Sequence, residues 1–200
     1  MKIVVSTCKK YQHLLNGFAE RFMQHWGDDF YVDIAGKDEA WSDQMIRICQ
    51  MFKEDYFIRL CEDFWLTEQV DYENLFHAWQ LATIRKYDRV GLQSVKDGYE
   101  HCSKKDPDTG WYKLDSDAEY LCSFEASIYK RTFLLKNLEP GRHIWETEVE
   151  MSRRTRGANV LIPPERIVKY TDATRRGQER AKIENGVMYV LQPGDVWKQV

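Results

Sequence analysis

Several sequence features that would define a function at once are missing from this chain of 200 residues. It contains no run of about eighteen apolar residues, so no membrane-spanning helix is expected. A P-loop is absent, and no G-x-G-x-x-G turn follows the first strand-like segment. These two absences argue against a P-loop enzyme and a dinucleotide-binding oxidoreductase. The amino terminus runs into a strand-like segment without the long apolar core of a signal peptide, which favours a cytoplasmic protein.

The cysteines are few and scattered. There are five of them, an odd number, and no two have the C-x-x-C spacing of a zinc or redox motif. A disulfide framework and a zinc site are therefore not expected, and reduced thiols in the cytoplasm are the simplest interpretation. The five histidines likewise show no spacing typical of metal ligands.

What the chain does contain is the composition of an ordinary globular domain. Hydrophobic residues make up 43% and charged residues 30% of the sequence, which excludes a disordered protein. The length suits one domain with a substantial core. We find no internal repeat, low-complexity tract or linker, and predict a single domain over residues 1–200.

Strand-like and helix-like segments alternate over the first half. Strands are predicted at 2–6, 30–35, 55–61 and 89–94, and helices at 11–26, 41–52 and 70–86. Strands separated by helices of this length indicate right-handed βαβ units, and therefore an α/β fold with a mainly parallel sheet flanked by helices.

The pattern is less regular in the second half. Residues 95–118 read as an exposed loop or small hairpin. The further expected elements are a strand at 120–124, a helix at 125–138, short strands near 158–162 and 166–170, a basic helix near 172–183, and a C-terminal β-hairpin turning at Pro193-Gly194.

The most informative segment is 56–66, where an apolar strand ends in Glu62 and Asp63. In an open α/β sheet, ligands bind at the carboxyl ends of the strands. Two carboxylates at such an end can hold a hard divalent cation, which in turn can hold phosphate oxygens. The alternative is a solvated strand-to-helix loop in which Asp63 caps a turn.

The charge is unevenly distributed along the chain. Residues 1–129 hold 15 basic and 23 acidic side chains, a net of −8, whereas residues 130–182 hold 13 and 7, a net of +6. Arginine is prominent in the basic region, and its planar fork suits phosphate groups. We predict a polyanion-binding surface; a solvated helical surface is the alternative. Its residues are Arg153, Arg154, Arg156, Arg175, Arg176 and Arg180.

Taken in order, these segments resemble small GT-A-type nucleotide-sugar glycosyltransferases of bacteria and their phages. The matching pieces are 2–8 with the nearby Lys10-Tyr11, Val32-Asp33-Ile34, 56–66, 121–131 and 144–148. They cover about residues 2–150, and their order and spacing carry the resemblance. The family's usual Asp-x-Asp signature is replaced here by Glu62-Asp63 at the strand end.

The resemblance implies a GT-A-like (Rossmann-like) fold in which residues 1–94 form the nucleotide-binding half and 95–200 the acceptor-side half. It implies a donor site for a nucleotide sugar, with a UDP-sugar favoured, and a Mg²⁺ or Mn²⁺ ion held by Asp63. Three of the residues have plainer alternatives: a turn residue for Asp33, solvation for Lys10 and core packing for Trp65. The donor-site residues expected are Ser6, Thr7, Lys10, Asp33, Glu62, Asp63 and Trp65.

A second carboxylate group, Glu146 and Glu148, would supply the general base for the acceptor hydroxyl if the transfer inverts the sugar's stereochemistry. Glu146 is slightly favoured because it adjoins Trp145. The alternating glutamates at 146, 148 and 150 are equally typical of the exposed face of a strand.

Three functions follow from these residues. The first is a hexosyl- or pentosyltransferase acting on a hydroxyl acceptor, in its most specific form a hydroxylated base in phage DNA, which would place the enzyme in the host cytoplasm. The second is a nucleotidyltransferase on a similar sheet, which would release pyrophosphate. The third is a non-catalytic module that binds nucleic acid or protein.

Overall fold

The computed structural model describes residues 1–97, 102, 104–175, 178–185, 187–192 and 196–200. Five α-helices form in these ranges: α1 (Leu15–His25), α2 (Trp41–Met51), α3 (Tyr72–Ile84), α4 (Arg131–Asn137) and α5 (Ile144–Arg154). None of the helices in the described ranges is long and apolar enough to cross a bilayer.

The first nine strands in the described ranges are β1 (Ile3–Thr7), β2 (Tyr31–Ile34), β3 (Tyr56–Cys61), β4 (Phe64–Leu66), β5 (Arg89–Gly91), β6 (Lys104–Lys105), β7 (Tyr112–Lys113), β8 (Ser127–Lys130) and β9 (Val160–Ile162). The C-terminal strands are β10 (Tyr170–Asp172), β11 (Thr174–Arg175), β12 (Gln178–Glu179), β13 (Ala181–Glu184), β14 (Val187–Gln192) and β15 (Val196–Gln199).

Eight strands form the central sheet, in the order β2-β1-β3-β8-β5-β9-β7-β6. The pairs β1–β2, β1–β3 and β5–β9 are parallel, while β8 runs antiparallel between β3 and β5. Strands β1, β2, β3, β5 and β9 therefore all point the same way. The predicted mainly parallel α/β sheet is confirmed, and its strands come from both halves of the chain.

Both faces of the sheet are covered. Successive side chains of a strand point to opposite faces, and in the buried strands both sets are apolar. In β1, Ile3 and Val5 belong to the core packed by α1 and α3, and Val4 belongs to the opposite core, packed by α2, α4 and α5. Both faces of β1 are thus buried, as expected of an inner strand between two helical layers.

The helices begin and end for local reasons. Asp71 caps α3 by accepting a hydrogen bond from the Asn74 N–H at 3.1 Å. The last residue of helix α1 is His25, and Gly27 follows with a φ of +74°, which suits a residue without a side chain.

Three predictions in the second half are wrong. Residues 120–124 form successive turns, with Leu121 N–H bonded to the Ala118 carbonyl and Ser123 N–H to the Tyr120 carbonyl. Leu121, Cys122 and Phe124 are buried all the same, and a short apolar run does not distinguish a buried turn from a strand. The helix predicted at 125–138 is strand β8 followed by the short helix α4.

The third error is the basic helix near 172–183. This segment forms β11, β12 and the start of a three-stranded antiparallel sheet, β13-β14-β15. The β14–β15 pairing confirms the C-terminal hairpin, although its predicted turn at Pro193-Gly194 lies outside the described residues. The hairpin β6–β7 likewise agrees with the loop or small hairpin expected at 95–118.

Gly17 lies at a close contact between α1 and β4. A Cβ built at this position would lie 2.2 Å from the nearest atom of the Trp65 indole, and Trp65 is buried. Glycine normally weakens a helix interior relative to alanine, by about 0.5–1 kcal/mol. Here the side-chain-free position lets the indole fit against the helix.

We therefore expect Gly17→Ala to destabilise the protein, by about 1–3 kcal/mol because the buried indole must move. The matched control is Asn16→Ala, an exposed change on the same helix that should leave stability unchanged or slightly raise it. Urea unfolding of the two variants measures the difference. A Gly17→Ala protein as stable as the control would contradict this packing.

Candidate functional site

The carboxyl ends of β1, β2 and β3 meet at one edge of the sheet. There Ser6 pairs with Asp33 on one side and with Cys61 on the other. We call this the carboxyl edge. Strand β3 leads directly into Glu62 and Asp63, so the predicted acidic pair lies where parallel α/β sheets bind ligands.

Cys61, Glu62 and Asp63 form a compact group at this edge. One ligand atom from each, the Cys61 Sγ and one carboxylate oxygen from each acidic residue, all lie within 4.8 Å of one another. The Asp63 carbonyl accepts a hydrogen bond from Ala173 N–H at 2.7 Å, which fixes the loop against the segment that follows β10. Among the described residues, this is the group that has the donor set of a metal site.

Burial controls the ionisation of this group. Desolvation, followed by the charges of Glu62 and Asp172, raises the pKa of Asp63 to about 7. Burial also raises the pKa of Glu62, whereas a hydrogen bond from Thr7 lowers it. The Cys61 thiol has its pKa raised well above the usual value by burial and is neutral at pH 7. A cation at this point would relieve the repulsion between the two carboxylates.

Arg59 is the main polar connection beneath the group, and its side chain is 0% exposed. Its guanidinium donates to the Phe124 carbonyl, to Ser6 Oγ at 3.2 Å and to Cys61 Sγ at 2.7 Å. It also lies 5.4 Å from the centre of the Trp41 ring. The Arg59 charge lowers the pKa of Glu62 and Asp63 and so opposes their desolvation.

The sequence analysis did not single out Arg59. The available signal was an arginine in the middle of an apolar strand, between Ile58 and Leu60, because arginine is almost never fully buried without a partner. Two of its three hydrogen-bond partners lie 53 and 65 residues away in the chain, and local spacing does not reveal them.

Asp33 lies at the predicted strand end but is already bound by protein groups. It is 3% exposed, and Arg47 binds its two carboxylate oxygens at 2.6 and 2.8 Å. Gln44 Nε2 donates to the Asp33 carbonyl, to Asp33 Oδ1 and to the Thr7 carbonyl. A nucleotide contact by Asp33 would have to share this carboxylate with Arg47, which also pairs with Glu39.

The other donor-site residues fall into two groups. Ser6 and Thr7 are buried at the carboxyl edge, where Thr7 also contacts Glu62. Lys10 is exposed, with its Nζ 5.0 Å from the centre of the Tyr11 ring. Trp65 is buried against Gly17, in the core between β4 and α1.

Glu146 and Glu148 lie on helix α5, so the exposed-strand interpretation of the alternating glutamates is wrong. Glu146 is exposed and accepts a hydrogen bond from the His143 N–H as part of a capping box. Glu148 faces inward, accepts from the Phe124 N–H at 2.6 Å and has its pKa raised by burial. Phe124 therefore joins Glu148, through its N–H, to Arg59, through its carbonyl.

The predicted arginine surface is divided in the structure. Arg153 and Arg154 end α5, and Arg156 follows them, at the opposite edge of the sheet, where β5 and β9 begin. Arg180 belongs to the carboxyl edge, because its N–H donates to the Ala173 carbonyl and Ala173 in turn bonds to Asp63. The Arg175 side chain and all of Arg176 lie outside the described residues.

A polar cleft of about 420 Å³ also opens at the carboxyl edge, beyond the end of β5. Ser94, Asp97, Glu165 and Arg166 are among its lining residues. Arg166 binds the two Asp97 oxygens at 2.6 and 2.7 Å, which fixes the orientation of both side chains. Such a wall of paired donors and acceptors suits a hydroxylated ligand better than an apolar one.

No family model matches the chain, and no curated protein matches it either. Its fold is nevertheless similar to solved structures. A197 from STIV aligns with a TM-score of 0.53 and 13% identity, over 100% of this chain and 94% of that one. S. aureus TarS 1–349 aligns with a TM-score of 0.53 and 11% identity, over 86% of this chain and 61% of that one.

A cytidylyltransferase from Leptospira borgpetersenii is similar as well. It aligns with a TM-score of 0.51 and 11% identity, over 85% of this chain and 81% of that one. At these identities the likeness concerns the fold alone. The fold is GT-A-like, as the family resemblance in the sequence implied.

The raised pKa of Asp63 predicts a pH-dependent stability. Unfolded, the carboxyl ionises near its ordinary value of about 4, whereas in the folded protein it keeps its proton up to about pH 7. The folded state binds more protons within this window, so the free energy of unfolding falls as pH rises through it. Above about pH 7 the free energy of unfolding has fallen by its full amount, on the order of 2–4 kcal/mol.

Asp63→Asn should remove this loss. We expect the variant to gain stability over the wild type as pH rises from about 4 to about 7, as measured by urea unfolding at several pH values. Asp28→Asn, at an exposed acidic residue outside the group, is the control. A stability difference that does not change with pH would show that Asp63 ionises normally.

Proposed function

We propose that this protein is a glycosyltransferase that moves a sugar from a nucleotide-sugar donor to a hydroxyl acceptor. The observation that carries the proposal is the Cys61-Glu62-Asp63 group at the carboxyl edge of a GT-A-like sheet. One of the aligned structures, TarS 1–349, is a complex with UDP. This supports a uridine nucleotide as the donor's leaving group, which the family resemblance also implies.

The donor set fits a divalent cation. Glu62 and Asp63 provide carboxylate oxygens, the ligands that Mg²⁺ and Mn²⁺ prefer, while the neutral thiol of Cys61 is a weaker ligand. When bound, such an ion would offset the charge that develops on the departing diphosphate. Ser6 and Thr7 border the same edge, and Lys10 lies on the exposed loop beyond it.

In the transfer, the acceptor oxygen forms a bond to the sugar's anomeric carbon while the bond from that carbon to the diphosphate oxygen breaks. The acceptor loses its proton to a base. We assign this role to Glu148 ahead of Glu146, because burial raises the Glu148 pKa toward neutrality, and a base is most effective when its pKa lies near the working pH. Glu146 is held at the helix terminus as a cap.

Arg59 has a positioning role in this scheme. It is fully buried, so it does not touch the donor; it holds the β3 terminus through Cys61 and the Glu148 partner Phe124 at once. The geometry of the metal-binding group and of the base thus depends on one guanidinium. Asp33 and Arg47 form a second fixed pair at the nucleotide end of the same edge.

The acceptor is proposed as a hydroxyl-bearing molecule on the side of the polar cleft at Ser94, Asp97 and Arg166. A hydroxylated base in phage DNA is the most specific acceptor that the sequence suggests, and it rests on charge alone. The divided arginine surface gives this acceptor only Arg180 near the reaction edge among the residues whose side chains are described. Glycans and small molecules are therefore tested beside DNA.

A nucleotidyltransferase is the second candidate, favoured by the likeness to the Leptospira cytidylyltransferase. The two activities use the same nucleotide edge but break different bonds. A glycosyltransferase releases a nucleoside diphosphate from a nucleotide sugar, whereas a nucleotidyltransferase releases pyrophosphate from a nucleoside triphosphate. A binding module would release neither product.

The first functional prediction concerns the donor. A panel of nucleotide sugars, incubated with Mn²⁺ or EDTA and with glycan, small-molecule or hydroxymethylated duplex acceptors, should release nucleoside diphosphate in a metal-dependent way. Asp63→Asn should reduce the rate by about 10²-fold or more, while Asp28→Asn should not. Pyrophosphate release from triphosphates instead would favour the second candidate, and absence of both products would favour a binding module.

The second prediction separates the two glutamates. Glu148→Gln keeps an oxygen for the Phe124 N–H but removes the base, so kcat for transfer should fall by about 10²–10⁴-fold. Glu146→Gln should change kcat little and at most weaken the cap. Steady-state kinetics with saturating donor provides the comparison. The reverse order of effects would return the base to Glu146.

A further inference from the structure

A second cleft lies at the edge of the sheet opposite to the carboxyl edge, and we call it the amino-edge cleft. It occupies about 460 Å³ between α4, the end of α5 and the loop that leads into β9. Its position is fixed by the sheet, since Lys130 ends the antiparallel strand β8 and its N–H bonds to the Asp88 carbonyl just before β5.

The amino-edge cleft is strongly basic. Four cationic side chains line it, those of Lys130, Lys136, Arg154 and Arg156, against Asp88 as the acidic residue among its described lining. The formal charge of this lining is thus +3, in a chain whose net charge is −3. A concave surface that concentrates charge of one sign attracts ligands of the opposite sign.

Asp88 does not neutralise the cleft. Its Oδ1 is 3.8 Å from Lys130 Nζ, and its Oδ2 accepts a hydrogen bond from the Asn159 N–H at 3.1 Å. The Asp88 carboxylate therefore connects the end of β8, through Lys130, to the start of β9, through Asn159, at the floor of the cleft. Arg154 is likewise engaged, by Glu139 and by the Asn137 carbonyl at 2.8 Å.

Lys136 and Arg156 differ from these residues. Both are exposed, and within the described ranges neither side chain has a hydrogen bond or an ion pair. At the carboxyl edge, by contrast, Arg166 is paired with Asp97 and Lys169 with Glu68. The exposed Thr132 hydroxyl lies in the same wall, and the backbone at Gly157 faces open space, with no atom within 4 Å of a built Cβ.

We propose that the amino-edge cleft is a second binding site, for a phosphate group, distinct from the site of transfer. The Arg156 guanidinium can bind two phosphate oxygens through its planar fork, and Lys136 and Lys130 add point charges. The phosphate is either carried by a small molecule or is one of the phosphodiesters of a nucleic acid strand. These two sources share the same chemistry at the cleft.

The two edges are far enough apart for independent tests. Strands of five to six residues such as β1 and β3 span roughly 15–20 Å at about 3.3 Å per residue. A phosphate in the amino-edge cleft therefore does not touch Asp63 or Glu62. The proposed phosphate site depends only on the residues that line the amino-edge cleft. It does not depend on sugar transfer at the carboxyl edge.

The test is calorimetric titration of the full chain with inorganic pyrophosphate, at low ionic strength and in EDTA, which excludes metal-dependent binding at the carboxyl edge. The expected result is saturable binding to the wild type. The double variant Lys136→Gln/Arg156→Gln should bind at least about tenfold more weakly. The matched control is Arg153→Gln, because Arg153 is 66% exposed, pairs with Glu150 and does not line the cleft.

A parallel titration with a short single-stranded oligonucleotide distinguishes the two sources. If its affinity exceeds that for pyrophosphate and falls steeply with salt, a nucleic acid backbone is the ligand; otherwise the ligand is a small phosphorylated molecule. The proposal is overturned by absence of saturable binding, by equal affinities of the double variant and the wild type, or by an equal loss in Arg153→Gln. Donor turnover should be the same in all of these proteins, so a failure here is separable from a failure of the proposed activity.

Discussion

The buried guanidinium of Arg59 is the interaction on which the organisation of the carboxyl edge depends. It binds β1 through Ser6, the end of β3 through Cys61 and the loop before β8 through the Phe124 carbonyl. Burying a cation away from water is costly, and in this protein hydrogen-bond acceptors, aromatic rings and nearby carboxylates share the compensation. Removing it would leave the Phe124 carbonyl without its donor and the acidic pair without its nearest positive charge.

The carboxylates at this edge are held in a state they would not adopt in water. Asp63 and Glu62 repel each other in a desolvated position, and Asp172 adds to the repulsion. The rest of the fold must supply the stability that this arrangement gives up, through two cores that bury both faces of the sheet. Such a concentration of unfavourable charge is typical of a site prepared for a ligand.

The fold was largely predictable from sequence because its first half obeys simple periodicity. Short apolar runs in β1 and β3 and helical spacing of apolar residues in α1 and α2 identified the elements. The second half was less predictable because its apolar runs are short. Residues 121–124 bury their side chains from turns, and the basic segment near 172–183 is held as β-strands by pairing in antiparallel hairpins.

The candidate site was predictable only in part. The position of Glu62 and Asp63 follows from a strand that ends in acidic residues, and this needs no distant information. Arg59, Gln44 and the contact between Glu148 and Phe124 do not follow from local sequence, since their partners are brought together by the sheet. The arginines grouped by sequence lie at opposite edges because the chain crosses the sheet between them.

The placement of β8 has a consequence for how the protein reaches its native state. This strand, at residues 127–130, pairs with β3 at 56–61 and with β5 at 89–91. Until it is in place, both of those strands present unpaired backbone groups in the middle of the future sheet. A chain emerging from the ribosome therefore cannot pair β3 with β5 through β8 until residues 127–130 have been made. Contacts of such long sequence separation favour slow folding, with a period in which the strand edges are open to association with other chains.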